Sequence, residues 1–441
     1  MKLATQVNRQ LFLSLLVLGS LGCTQGEPPQ FRLNMISMTS NELDSEYQQE
    51  IANVLSGLFG TPDEPFAHPA TGLNQLKLDL ASGPAWSDKR GYSHGLYRQH
   101  CVHCHGIDGD GYGPTAKILN PYPRDYRKGI FKFKSTFNAA KPTDADLHRV
   151  LANGVPGTSM PSFELLPSSE VESLVEYVKY LAMRGQLETE LAAYVFDELG
   201  VEEVEDESGT VTEQRIPFDP SASPDQAEAV LDILSEIVAG WDEAGENVIQ
   251  PAEDAIPADN RSDEELAASI DRGRELFYGV KANCIKCHGP TGLGDGQQTD
   301  HNVWNKENMD YIEATTSMAD SLANADPETE EEELELDREW ALLKSREEVS
   351  DTLLPVRNAV PRNLRVGVYR GGRRRIDVFH KIHAGIAGTP MPGLGAAGPG
   401  AEGTISEEDM WSIVDYVLNL PYEAPSQPQR ALPTNHSNIT Q

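Results

Sequence analysis

The sequence predicts a mainly helical protein in which one kind of domain is built twice, and three observations carry that expectation. Apolar residues fall at helical spacing in several stretches: Leu43, Tyr47, Ile51, Val54, Leu55, Leu58 and Phe59; then Val171, Leu174, Val175, Val178 and Leu181; then Met410, Ile413, Val414 and Val417. Segments of the first half return in the second. Pro123-Arg124-Asp125-Tyr126-Arg127-Lys128-Gly129-Ile130-Phe131 is echoed by Pro361-Arg362-Asn363-Leu364-Arg365-Val366-Gly367-Val368-Tyr369, and the loop Gly154 to Pro161 by Gly385 to Pro392. The helices after these loops carry Tyr177 and Tyr416, and each opens on a capping signal, Ser169 with Glu172 and Ser406 with Asp409. Third, Cys101-Val102-His103-Cys104-His105 recurs as Cys284-Ile285-Lys286-Cys287-His288, and the two pentapeptides take four of the five cysteines.

At the start of the chain, Lys2 and Arg9 precede the apolar run Leu11 to Leu21, which has the length of a signal-peptide core and is short for a membrane span. Residues 1–22 are expected to be a signal peptide, which places the mature protein outside the cytoplasm. Ser20-Leu21-Gly22-Cys23 resembles a bacterial lipoprotein cleavage box, with Ser20 standing where the usual Leu would be. The resemblance implies a lipid on Cys23, and it accounts for the fifth thiol, which would otherwise be an oxidation liability. Residues 23–89 read as a tether with one amphipathic helix ending at Gly60-Thr61-Pro62, then an irregular strap from Pro65 to Lys89.

The first domain is expected over 90–184. Cys-x-x-Cys-His is the attachment pattern of a c-type haem: two thiols form thioether bonds and the adjacent imidazole binds the iron. Zinc fits poorly, because Cys104 and His105 are neighbours that would strain one tetrahedron and no closing Cys or His pair recurs at finger spacing. A Cys-x-x-Cys redox pair leaves His105 and His288 unexplained. Gly106, Gly109, Gly111 and Gly113 allow tight turns against a flat ring, and they lack the spacing and preceding strand of a dinucleotide loop. Asp108 and Asp110 read as solvated turn residues, since the later ligands of a calcium loop are missing. Met160 and Met391 sit in turn-rich, Pro-flanked loops, where a sixth iron ligand would stand. His148, His380 and His383 are rival ligands, but their positions do not match between the halves.

A helix ending in Cys-x-x-Cys-His, a Met loop and a closing helix with a Tyr resemble a class I cytochrome c domain. The resemblance covers roughly 90–184 and, with an interruption, 271–421. It implies two small all-helical domains, each around one covalent haem c with His105 and Met160, or His288 and Met391, on the iron. The repeated Arg124, Arg127, Arg362 and Arg365 are candidates to neutralise haem propionates.

Between the domains, residues 185–265 hold 24 Asp and Glu against two Arg, with helices expected at Leu187 to Leu199 and Gln226 to Trp241, so this is an acidic, partly helical linker. The second domain is expected over 266–421. There 77 positions separate Cys284 from Pro361, against 22 between Cys101 and Pro123, and the excess, 297–353, reads as an acidic surface insertion with one helix near Leu334 to Lys344. Residues 422–441 read as a disordered tail.

The net charge of −33 excludes a nucleic-acid binder. Iron closed by protein ligands on both faces suits outer-sphere electron transfer. The expectation is a membrane-associated, non-enzymatic carrier between a quinol-oxidising complex or dehydrogenase and an oxidase or another cytochrome. A dihaem peroxidase is the alternative, and the two intact Met loops speak against it. Redox partners are expected at the first domain, where Lys117, Arg124, Arg127, Lys128, Lys132, Lys134 and Lys141 cluster, unless these charges serve the protein's own acids.

Overall fold

The structure, a computed structural model, describes residues 28–205 and 211–426. Cys23, the expected signal peptide and most of the expected tail lie outside the described residues. The chain is 52% helix and 3% strand, which makes it all-α.

The first half opens with α1 (Met35–Ser40) and α2 (Ser45–Phe59). Asp44 caps α2 by accepting from the backbone N–H groups of Glu46 and Tyr47, its apolar stripe buries Ile51, Leu55 and Phe59, and it stops at Gly60, whose φ of +71° suits glycine. The expected irregular strap holds α3 (Gln75–Ala81) and a small hairpin of β1 (Trp86–Ser87) and β2 (Ser93–His94). Then come α4 (Leu96–His100), α5 (Val102–His105), α6 (Asp144–Asn153) and α7 (Ser168–Glu198).

One expectation fails at α7. The helix begins with Pro167 at its N-cap and no side-chain cap, so Ser169 does not open it; Ser168 bonds Glu172 instead. It also runs on for 31 residues, so the boundary expected at Arg184 falls inside a helix. The physical reason is a buried stripe that does not stop: Leu187, Leu191, Ala192 and Val195 continue it, and Arg184 pairs with Glu188 at 3.0 Å on the buried face. After a hairpin of β3 (Val201–Glu205) and β4 (Val211–Arg215), pinned to α2 by Arg215 and Glu50, α8 (Pro224–Asp242) packs back on α7. The acidic linker is therefore packed. Val230, Leu234 and Trp241 join the first core, whereas Ile249 and Ala255 join the second.

The second half contains α9 (Asp263–Tyr278), α10 (Ile285–His288), α11 (Val303–Leu322), α12 (Glu330–Thr352), α13 (Arg375–Ala384) and α14 (Glu407–Asn419). Ser262 with Glu265 forms a capping box on α9, and Ser406 caps α14 as expected. Helix α9 crosses α14 at Gly273, where a Cβ would collide with the Ser412 carbonyl. The insertion departs from expectation: it holds two helices, and α11 lies against the first half. Glu307 pairs with Lys128, Asn308 donates to the Tyr112 hydroxyl at 3.1 Å, and the Tyr311 hydroxyl meets Thr39 at 2.6 Å. Just past α12, Arg357 bonds the carbonyls of Leu119 and Lys117. Among the described residues no helix is long and apolar enough to cross a membrane.

Candidate haem sites

Cys101 sits at the junction of α4 and α5, and the single turn of α5 carries Cys104 and His105 to the same wall of a cavity that Met160 lines from the other loop. Its empty space is about 1360 Å³ and is partly open to solvent. Leu147, Val150, Leu151, Leu174, Val175 and Val178 make much of the wall. His105 Nδ1 lies 3.0 Å from the Arg124 carbonyl. A carbonyl only accepts, so Nδ1 carries the proton and Nε2 keeps the lone pair a metal needs. Burial pushes the His105 imidazole down to about 4, which keeps it neutral, and Tyr126 stacks on its ring at 4.6 Å. Burial pushes the Cys101 thiol up to about 12 and Cys284 up to about 11. Both thiols are therefore neutral as they stand.

The second set is positioned by the same bonds. His288 Nδ1 donates to the Arg362 carbonyl at 3.2 Å, the partner matched to Arg124. Gly106 and Gly289 share a φ of +74°, and the N–H groups of Gly111 and Gly294 return to the carbonyls of His105 and His288 at 2.9 Å. The Met loops agree bond for bond. Met160 N–H donates to Thr158 Oγ1 at 3.1 Å and Met391 N–H to Thr389 Oγ1 at 3.3 Å, while each Met carbonyl accepts from the first apolar residue of its loop, Val155 at 3.2 Å and Ile386 at 3.1 Å. His380 bonds the Ile249 carbonyl, and His383 is buried between Phe379 and Phe137.

The four matched arginines divide into two kinds. Arg124 lines the cavity with Nη1 buried and unpartnered, and Arg362 has an unpartnered Nε. Arg127 and Arg365 are already engaged: Arg127 grips both oxygens of Asp125, and Arg365 bonds the Thr291 carbonyl, Ser426 and Glu423. An apolar slot with two thiols at one edge, an imidazole and a thioether on its walls, and an orphaned guanidinium fits a haem with its carboxylates.

Residues 93–182 match the cytochrome c family. This segment is a cytochrome c domain. The match runs from β2 into α7 and contains Cys101, Cys104, His105 and Met160, and it supports an electron-transfer protein with covalent haem c. No curated protein matches the chain. Among solved structures, the Kuenenia stuttgartiensis reducing HAO-like protein complex aligns at 20% identity over 74% of this chain and 94% of that chain, with a TM-score of 0.39, a likeness that carries no argument.

Some local readings change. Asp108 and Asp110 are buried, 2% and 9% exposed, because Arg32 reaches both, at 2.8 and 3.0 Å. The basic stretch is largely used inside the molecule: Lys128 meets Glu307, Lys134 Nζ is ringed by the carbonyls of Phe137, Asn138 and Ala140, and Lys141 lies over Trp241, leaving Lys117 exposed. Trp304 and Arg370, both from the second half, also line the first cavity. Arg370 was within reach of the repeat, since it follows the echoed segment as Lys132 does, whereas Trp304 has no signal in the acidic insertion around it.

Proposed function

We propose that the protein is a dihaem c-type cytochrome that carries electrons, held on the outer side of a membrane by lipid on Cys23, between a quinol-oxidising complex or dehydrogenase and an oxidase or another cytochrome. The observation that supports it is the duplicated frame: each Cys-x-x-Cys-His has its own carbonyl-oriented imidazole and its own Met loop held by the same hydrogen bonds. Haem held in such a frame supplies a one-electron iron couple. The chain's part would be to hold the group through Cys101 and Cys104 or Cys284 and Cys287, with His105 and Met160 or His288 and Met391 as its donors. Arg124 and Arg362 hold the charged edge. With both a His and a Met as donors the iron would have no position for peroxide, which is what separates this reading from an enzyme.

The test is the intact mass of the mature protein. It should equal the chain from Cys23 plus two haems plus acyl chains, and peroxide added to the reduced protein should reoxidise it slowly without turnover. A mass with one haem would sink the dihaem reading, an unmodified Cys23 the anchor, and rapid peroxide turnover the carrier.

A further inference from the structure

The wall of the first cavity is shared between the halves. Trp304, at the start of α11, lies under the Arg124 guanidinium at 3.6 Å from the ring centroid, and Lys132 Nζ stands 4.8 Å from the same ring. The contacts run in both directions. Gly157 and Gly388 hold matched places in the two Met loops; a Cβ on Gly157 would lie 2.6 Å from Arg362 Nη2, and one on Gly388 2.7 Å from the Trp304 ring. Each Met loop rests against the other half's arginine, directly in one direction and through Trp304 in the other. Lys132 and Arg370 are matched too, and their neighbours Phe133 and Gly371 touch.

This junction collects positive charge with too little negative charge to meet it. Arg124 Nη1, Arg362 Nε and Arg370 Nε are buried without partners. Asp125 acts on Arg124, but both its oxygens are bonded to Arg127. Burial pushes Arg124 down to about 9 and Lys132 down to about 6, with Arg124 and Arg370 adding to the shift of Lys132; Arg370 is lowered by burial and by Arg362. Carboxylates placed here would give these groups charge-assisted hydrogen bonds, restore the charge of Lys132 and remove the penalty of an unpaired buried charge.

We propose that the carboxylates of the haem bound in the first cavity are held by cations from both halves, Arg124 and Lys132 from the first and Arg370 from the second, so that the first site is complete only when the halves are docked. This rests on haem attachment at Cys101 and Cys104. Arg370 acts on the iron through the carboxylates, as a positioning residue.

The experiment is a redox titration of the full-length holoprotein carrying Arg370→Gln. Reduction removes one positive charge from the iron, so a neighbouring cation favours the reduced form and its loss lowers the potential. At the wild-type midpoint, the reduced-to-oxidised ratio of the first haem should fall about tenfold, a shift of ~59 mV for a one-electron couple. The second haem should not move. Met160→His identifies the first wave, Arg370→Lys should restore the potential by restoring the charge, and Arg365→Gln, engaged elsewhere, should leave the first haem alone. Haem stain on the denatured chain keeps the two questions apart: one haem in wild type fails the dihaem reading. With both haems present, an unmoved first potential, a shift of the second alone, or an equal shift of both overturns this proposal.

Discussion

The two halves hold their ligand candidates in the same frame and close that frame differently. In the first, 22 positions lead from Cys101 to Pro123, and the cavity borrows Trp304 and Arg370 from its neighbour. In the second, the corresponding path is 77 positions long, and its extra chain crosses to the first half, where α11 docks. The difference separates what must be repeated from what need not be. The pentapeptide, the glycine turn, the arginine carbonyl and the Met loop recur because each fixes an atom of the site. The stretch between turn and arginine holds none of the matched Cys, His or Met residues, and in the second half it supplies the contact between halves.

The comparison breaks most visibly at the Met loops. Met160→Ala and Met391→Ala should each remove about half of the weak near-infrared band that reports iron–sulfur bonding and lower one potential, with both haems still attached. Loss of signal with one variant and none with the other would mean that the frames, alike in hydrogen bonds, differ in ligation; His383→Ala would then be the variant to measure.

A smaller effect separates Gly388 from Gly157. Both have left-handed φ, +70° and +72°, so alanine costs about 1–2 kcal/mol at either place. What the new methyl meets differs: at Gly157 it is the far end of the Arg362 side chain, which can swing away, and at Gly388 it is the Trp304 ring, wedged under Arg124. Denaturant unfolding should therefore show Gly388→Ala destabilised by about 1–3 kcal/mol more than Gly157→Ala. Equal losses would show that Trp304 is not wedged.

The smallest effect lies at the closing helices. Ser406 caps α14 by accepting from Asp409 N–H at 3.3 Å, so Ser406→Ala should cost about 1 kcal/mol. Ser169 caps nothing, and Ser169→Ala should stay within about 0.5 kcal/mol of wild type. A loss of 1 kcal/mol at Ser169 would restore the capping box that the sequence suggests.

What was legible in the sequence is what depends on neighbours along the chain. The stripe of α2 and its stop at Gly60 rest on contacts within a few residues and stand as read, and the hydrogen bonds inside the two Met loops are local in the same way. What was not legible depends on partners far away. Asp108 looks like a solvated turn until Arg32, 76 positions earlier, is found on it. Trp304 gains its role only beside Arg124, and the lysines of the first domain look free until Glu307 and the carbonyls after Lys134 are placed against them. The cap at Ser169 failed for a local reason: the chain turns into the helix at Pro167, two residues earlier.

The shared wall also sets an order of events. Trp304 and Arg370 follow Cys104 by 200 and 266 residues, and a chain made from its N-terminus presents the first pair of thiols long before either residue exists beside them. During that interval the first slot lacks the side next to Arg124. Synthesis of the second half then supplies the missing panel. The panel that closes this side of the slot is thus the last part of its wall to be made.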